Sequence, residues 1–233
     1  MSEQPTRPNL SHSEPVNFLP TPAAHVRTEV LDERRRYAKL MAESVAEMNK
    51  LHNAAYKDVL TGLGNRRMLD EKLPKLFEFA KNHDLPIALA YGDVRGLKRT
   101  NDNEGHAMGD LLLKAAGQSL KAIAREGDIP IHLSGDEFAI VLVGYTPLEG
   151  QSQEALDKDT ISRLKKSFDQ SAKEHSISEE RQVGFDISIT TMQEHDTPES
   201  LLARAETQMR AQKAAHYKAL ETQGITFQDN RVA

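Results

Sequence analysis

The sequence has no cysteine and no tryptophan in its 233 residues, and aromatic residues make up only 5% of it. The missing cysteines exclude disulfides, thiolate metal sites and a cysteine nucleophile, and fit a reducing compartment. No run approaches the roughly 18 apolar residues of a membrane-spanning helix. The opening "MSEQPTRPNLSHSEP" lacks the apolar centre of a secretory signal, so a cytoplasmic protein with no membrane span is expected. Positive charge is also in short supply. Lys and Arg number 30 against 35 Asp and Glu, a net charge of −5, and they are scattered rather than blocked, so neither DNA nor RNA is the expected partner. The composition that is present, 38% hydrophobic and 28% charged, is that of a soluble globular protein, long enough for one large domain or one domain with an extension.

Residues 1–24 hold Pro5, Pro8, Pro15, Pro20 and Pro22 among polar residues, a mix that reads as a disordered N-terminal tail. Residues 25–57 contain neither Pro nor Gly, and Leu31, Ala38, Met41, Val45, Met48 and Ala55 fall on a 3-4 spacing. This predicts one long helix, with Arg34 and His52 interrupting its seam. Such a helix either packs on its own domain or pairs with a second copy as a parallel coiled coil. The narrow stripe favours the dimerisation segment.

Residues 58–233 read as one domain. A Gly-containing turn leads into an amphipathic helix to about Asn82, followed by a strand in "LPIALAYGDV" and a helix in "GHAMGDLLLKAAGQSLKAIAREG". "IPIHLSGDEFAIVLVGY" has the pattern of a β-hairpin turning at Gly135. A helix from Asp157, a strand in "RQVGFDISITTM" and a helix opening on a Thr197 cap and Pro198 complete it. The order predicts an α/β (α+β) sandwich with helices against a mixed or antiparallel sheet.

Asp93 ends a strand, and Asp136 and Glu137 sit at a hairpin turn; strand ends and turns can converge on one sheet edge. Carboxylates gathered there repel one another unless a cation lies between them, and Mg2+ is the natural choice. A solvated hairpin tip is the commoner use of acidic residues at a turn. Company at fixed spacing decides between the two. Asp58, Leu60, Thr61, Gly62, Leu63, Asn65, Arg66 and Arg67 fit D-x-L-T-G-L-x-N-R-R. Asp93, Lys98, Asn101, Asp102, Gly105, His106, Gly109 and Asp110 fit D-x-x-x-x-K-x-x-N-D-x-x-G-H-x-x-G-D, and "SGDEF" follows at 134–138. Over about Asp58 to Lys218 the chain therefore resembles the GGDEF domain of diguanylate cyclases, which condense two GTP into cyclic di-GMP.

The resemblance implies a nucleotide-cyclase, palm-like domain with a mainly antiparallel sheet. It makes the Asp93 and Asp136 carboxylates and the Val94 carbonyl ligands of Mg2+ or Mn2+. Glu137 would help deprotonate the attacking 3′-hydroxyl, Lys98 and Lys213 would hold triphosphate, and Asn101 and Asp110 would read guanine. Gly135 would let phosphate approach the backbone. Arg125 and Asp128 form R-x-x-D, separated by five residues from Ser134, the register of the family's inhibitory cyclic di-GMP site. The implied function is a homodimeric cyclase with GTP as substrate and cyclic di-GMP as product and inhibitor. An unidentified regulatory protein could act through the tail or the long helix. The alternative is a degenerate domain that senses GTP or cyclic di-GMP.

Several residues depart from the family pattern. Ser134 replaces the first signature glycine, and a positive φ there would introduce strain of about 1 kcal/mol. Arg95 stands where many members have an acid or Asn, His132 where arginine is usual, Tyr217 in place of an arginine, and Thr190 in place of a glycine.

Overall fold

The computed structural model describes residues 22–177 and 183–222. The expected tail thus lies almost wholly outside the described residues. Helix α1 runs Pro22–Tyr56. The chain divides into two compact units, Met1–Lys50 and Leu51–Ala233. Within the first, the seam residues Leu31, Met41, Val45 and Met48 are all exposed.

The second unit is built from α2 (Arg66–His83), β1 (Ile87–Arg95), α3 (Leu97–Glu104), α4 (His106–Ile123), β2 (Ile129–Ser134), β3 (Glu137–Val143), α5 (Gln153–Glu174), β4 (Gly184–Thr191) and α6 (Pro198–Thr222). Its strands form one sheet in the order β2-β3-β1-β4, and every neighbouring pair is antiparallel. The hairpin, both long helices around it and the final strand follow the sequence periodicity. Helix α3 does not, since its polar eight residues carry no apolar stripe; Gly96 and Gly105, both at positive φ, delimit it, and Thr100 is its buried residue. Helix α5 starts four residues before the expected Asp157, because the Ser152 side chain accepts a hydrogen bond from the Ala155 N–H.

Alternation along β1 divides the core. Ala88, Ala90 and Val94 join Leu112 and Leu120 of α4, Phe168 of α5, and Phe138, Ile140 and Phe185 on one face. Ile87, Leu89 and Tyr91 join Leu69, Leu73 and Phe77 of α2 and Leu201, Ala205 and Met209 of α6 on the other. Asp93 follows this second register, so its carboxylate lies on the face that α6 covers.

Helix α6 is fixed at its start by the loop before it. Thr197 Oγ1 accepts from the Ser200 N–H at 3.2 Å, the expected cap. Asp196, buried, accepts from the Gln193 N–H at 2.8 Å, from the Ser200 hydroxyl at 2.7 Å and from the Arg204 guanidinium. Arg204 also donates to the Thr191 carbonyl at 2.9 Å, and Lys81 of α2 donates to the Asp196 carbonyl at 3.0 Å. Burial alone would raise the Asp196 pKa, but the Gln193, Arg204 and Ser200 donors outweigh it and hold the carboxyl below its ordinary value. A depressed carboxylate contributes stability above its unfolded pKa of about 4 and loses it as pH falls through the folded value. Asp196→Ala is expected to lower unfolding free energy by about 2–3 kcal/mol at neutral pH, with the difference shrinking below about pH 4. Urea denaturation at several pH values checks this prediction, and a pH-independent difference would contradict it.

Candidate active site

The turn between β2 and β3 sets the site. Gly135 has φ 54°, in the left-handed region. Open space surrounds the position its Cβ would take, so backbone conformation is the observed reason for glycine there. Ser134 is the last residue of β2, exposed and paired with Glu137; it is not among the positive-φ residues, so the strain considered for it does not arise. The Val94 N–H donates to the Asp136 carbonyl at 2.8 Å and docks the turn against the end of β1.

His132 is the second fastener. Its Nδ1 lies 3.0 Å from Asp58 Oδ1, its Nε2 lies 3.0 Å from the Gly135 carbonyl oxygen, and its ring stacks on Phe138 with centroids 4.4 Å apart. Both nitrogens face oxygen acceptors, so both bonds form only when each nitrogen carries a hydrogen. Asp58 also accepts from the Thr61 N–H at 2.8 Å and the Thr61 hydroxyl at 2.6 Å. Burial would raise its pKa, but the Thr61 and His132 bonds hold it below the ordinary carboxylate value. The "DVLTG" turn after α1 is thus tied through His132 to the acidic turn.

A cleft of about 260 Å3 opens beside that turn. Six sequence-predicted residues line it together: Val94, Lys98, Asn101, Gly135, Asp136 and Lys213. Gly96 and Leu97, at the start of α3, line it too, which turns the positive end of that helix toward the cleft. The Asn101 Oδ1 is buried and has no hydrogen-bond partner. Gly109 packs against the same amide, because a Cβ there would overlap Asn101. Asp110, the next residue on α4, is exposed.

Asp93 is 6% exposed, and Lys213 Nζ donates to its Oδ1 at 2.7 Å. Burial pushes the Asp93 carboxyl up to about 6 against the Lys213 bond, with the Asp136 and Asp186 charges adding to the rise. The Lys213 ammonium thus offsets part of the charge of a buried carboxylate. Among the described residues no three His, Asp or Glu side chains close into a protein-only metal cage. Two carboxylates and a carbonyl are the partial donor set that Mg2+ takes when phosphate oxygens and water complete its shell, so the residues fit the ion. Glu137 pairs with Asp93 across β3 and β1 and neighbours the Tyr91 phenol, whose pKa is raised by burial and then by the Glu137 carboxylate.

The residues around Arg125 form a separate shallow pocket with Asp128 and Arg163. Asp128 has local work in the fold: its Oδ2 accepts from the Arg125 N–H at 2.8 Å and its Oδ1 from the Val143 N–H at 2.9 Å. Sequence reasoning missed two groups. Tyr91 carries no signal of its own, and Asp186 pairs with Arg95 across 91 positions (3.3 Å). His106 and Asp102, motif residues given no role by the sequence, line the cleft as well. Thr190, at the family's glycine position, donates to Gln208 of α6 at 2.6 Å.

A four-stranded antiparallel sheet between helix layers, with acidic strand ends beside a polar cleft, is the architecture of a nucleotide-cyclase palm-like domain. The family described as "Diguanylate cyclase, GGDEF domain" matches residues 55–219, and the chain belongs to that family. It is 36% identical over 121 residues to the diguanylate cyclase DgcP of Escherichia coli, covering 51% of this chain and 32% of that protein. It is 30% identical over 199 residues to the response regulator PleD of Caulobacter vibrioides, covering 85% of this chain and 41% of that one. The chain thus spans less than half the length of either relative. The coiled coil and GGDEF domain of DgcB from Caulobacter crescentus, solved with c-di-GMP, shares the fold at a TM-score of 0.63 and 18% identity, covering 79% of this chain and 95% of that one. The diguanylate cyclase SiaD of Pseudomonas aeruginosa, solved with its activator SiaC, aligns at a TM-score of 0.57 and 25% identity, covering 82% and 71%.

The two bonds of His132 predict a local effect. In His132→Phe, which keeps an aromatic ring against Phe138, amide exchange across residues 134–137 is expected to accelerate about tenfold or more while β1 stays protected. Hydrogen-exchange mass spectrometry reads this, and unchanged exchange would show that the bridge does not hold the turn.

Proposed function

We propose that this chain is a diguanylate cyclase that condenses two GTP into cyclic di-GMP and pyrophosphate as a homodimer. The observation that carries the reading is the convergence of Val94, Lys98, Asn101, Gly135, Asp136 and Lys213 on one cleft. The Asp93 and Asp136 carboxylates and the Val94 carbonyl would hold Mg2+ or Mn2+, which supplies charge neutralisation at the phosphate oxygens. Lys213 then leaves Asp93 and, with Lys98, pairs with triphosphate. The Asn101 amide, which lines the cleft, and the exposed Asp110 carboxylate would read the guanine edge, fixing the base and orienting the nucleotide. Glu137 takes the 3′-hydroxyl proton, and the oxygen so activated attacks the α-phosphorus of the second GTP, expelling pyrophosphate.

Each site binds one GTP, so two domains must face one another. The exposed seam of α1 fits a helix pair that raises their effective concentration. The 1–24 tail, the 25–57 dimerisation segment and the 58–233 catalytic domain form the proposed organisation. Arg125 and Arg163, beside one pocket, suit the phosphates of a bound cyclic di-GMP through their planar forks, which makes product inhibition part of the proposal. Asp128 supports it by shaping the loop that carries Arg125. A regulatory protein acting through the tail or helix would supply the input.

The test is incubation of purified protein with GTP and Mg2+ and analysis of products by mass spectrometry. Cyclic di-GMP is expected from wild type and not from Glu137→Gln. Bound GTP with no product at high protein concentration would favour the sensor alternative. Arg125→Ala is expected to leave initial rates within about twofold and to abolish slowing by added product. Inhibition persisting at wild-type strength would refute the inhibitory role. Gly109→Ala, by crowding Asn101, is expected to weaken GTP binding about tenfold, measured by calorimetry, whereas unchanged affinity would remove Asn101 from guanine recognition.

A further inference from the structure

Three carboxylates stand in one row across the sheet. Asp93 of β1 is the direct partner of Glu137 on β3 and of Asp186 on β4, so all three side chains share the face covered by α6. Asp186 belongs to none of the motifs that define the site. Its side chain is buried, its Oδ2 has no hydrogen-bond partner, and its Oδ1 lies 3.3 Å from Arg95 Nη1. Arg95 is two residues beyond Asp93 on the same strand and face. Its guanidinium lies across β4 at Gly184, where a Cβ would overlap it. Arg95 is thereby folded back onto the sheet rather than lining the cleft.

The placement of Arg95 poses a problem that its partner resolves. A half-buried guanidinium two residues from the carboxylate read as metal-binding repels any ion bound there, and its partial burial reduces the solvent that would screen it. We propose that Arg95 and Asp186 are a compensated pair: the Asp186 carboxylate cancels the Arg95 charge at the metal edge, so that Asp93 and Asp136 keep their affinity for a divalent cation. Asp186 is a positioning residue acting through Arg95, and this inference rests on the metal-dependent reading of the site. His216, on α6, reports on the same pair, since its pKa is lowered first by burial and then by Arg95, while Asp186 opposes that fall. Lys165 of α5 lies close enough to act on His216 in the same sense as Arg95.

A charge cycle tests the pair directly. Mn2+ binding without nucleotide is measured by electron paramagnetic resonance for wild type, Asp186→Asn, Arg95→Gln and the double variant, with thermal melting as a check on folding. Asp186→Asn is expected to bind Mn2+ about tenfold more weakly, as an uncompensated charge nearby produces. Arg95→Gln is expected to bind at least as tightly as wild type but to melt earlier, because it strands the buried Asp186 charge. The double variant is expected to return to within about threefold of wild type. The NMR titration of His216 is expected to shift down in Asp186→Asn, up in Arg95→Gln, and little in the double variant. If the double variant binds as weakly as Asp186→Asn, Asp186 is itself a ligand and the compensation is refuted. Unchanged binding in Asp186→Asn refutes it as well. Absence of Mn2+ binding by wild type would overturn the metal-dependent reading and this inference together.

Discussion

Like charges directly opposite one another on neighbouring strands destabilise a sheet by a few tenths to about 1 kcal/mol per pair. Glu137, Asp93 and Asp186 occupy such a row, with Asp136 in the adjoining turn, and cations from elsewhere in the fold make it tolerable. Lys213 reaches Asp93 from α6, and Arg95 reaches Asp186 from β1. Helix α6 must therefore arrive at a fixed place, which gives the Asp196 and Arg204 loop at its start a bearing on the site about four turns away. The apolar packing of Leu201, Ala205 and Met209 holds the same helix along the sheet.

The acidic turn depends on a second set of constraints. Its left-handed residue is Gly135, its carbonyls are engaged by Val94 and His132, and its flanking strands are buried through Phe138 and Ile131. Rigid support of this kind suits phosphoryl transfer, in which the protein positions groups and neutralises charge rather than forming covalent intermediates. Tolerance of Ser134 follows from the same geometry, because the position belongs to a strand end and demands no glycine.

Much of this was legible in the sequence because periodicity and motif spacing are local. The short apolar run in "IALAYGDV" assigned β1 and placed Asp93 at its end, and Pro198 after Thr197 marked the start of α6. Six of the site residues that the resemblance singled out line one cleft. Helix α3 was not legible, since eight polar residues bounded by glycines offer no apolar period. The partner of Arg95 was hidden for a different reason: the register between β1 and β4 is set by the core, not by anything near Arg95 in the chain. Asp128 shows the reverse case, in which a motif residue proves to be committed to two backbone N–H groups of its own fold.

The Arg95, Asp186 and Gly184 arrangement also constrains how this sequence can drift. Changing Arg95 alone strands a buried carboxylate, changing Asp186 alone strands a half-buried guanidinium, and adding a side chain at position 184 lifts the guanidinium off the strand. Each first step lands in a less stable protein, even where the end state is sound. The three positions are expected to be inherited as a block, and a relative that lacks one of them should lack the others.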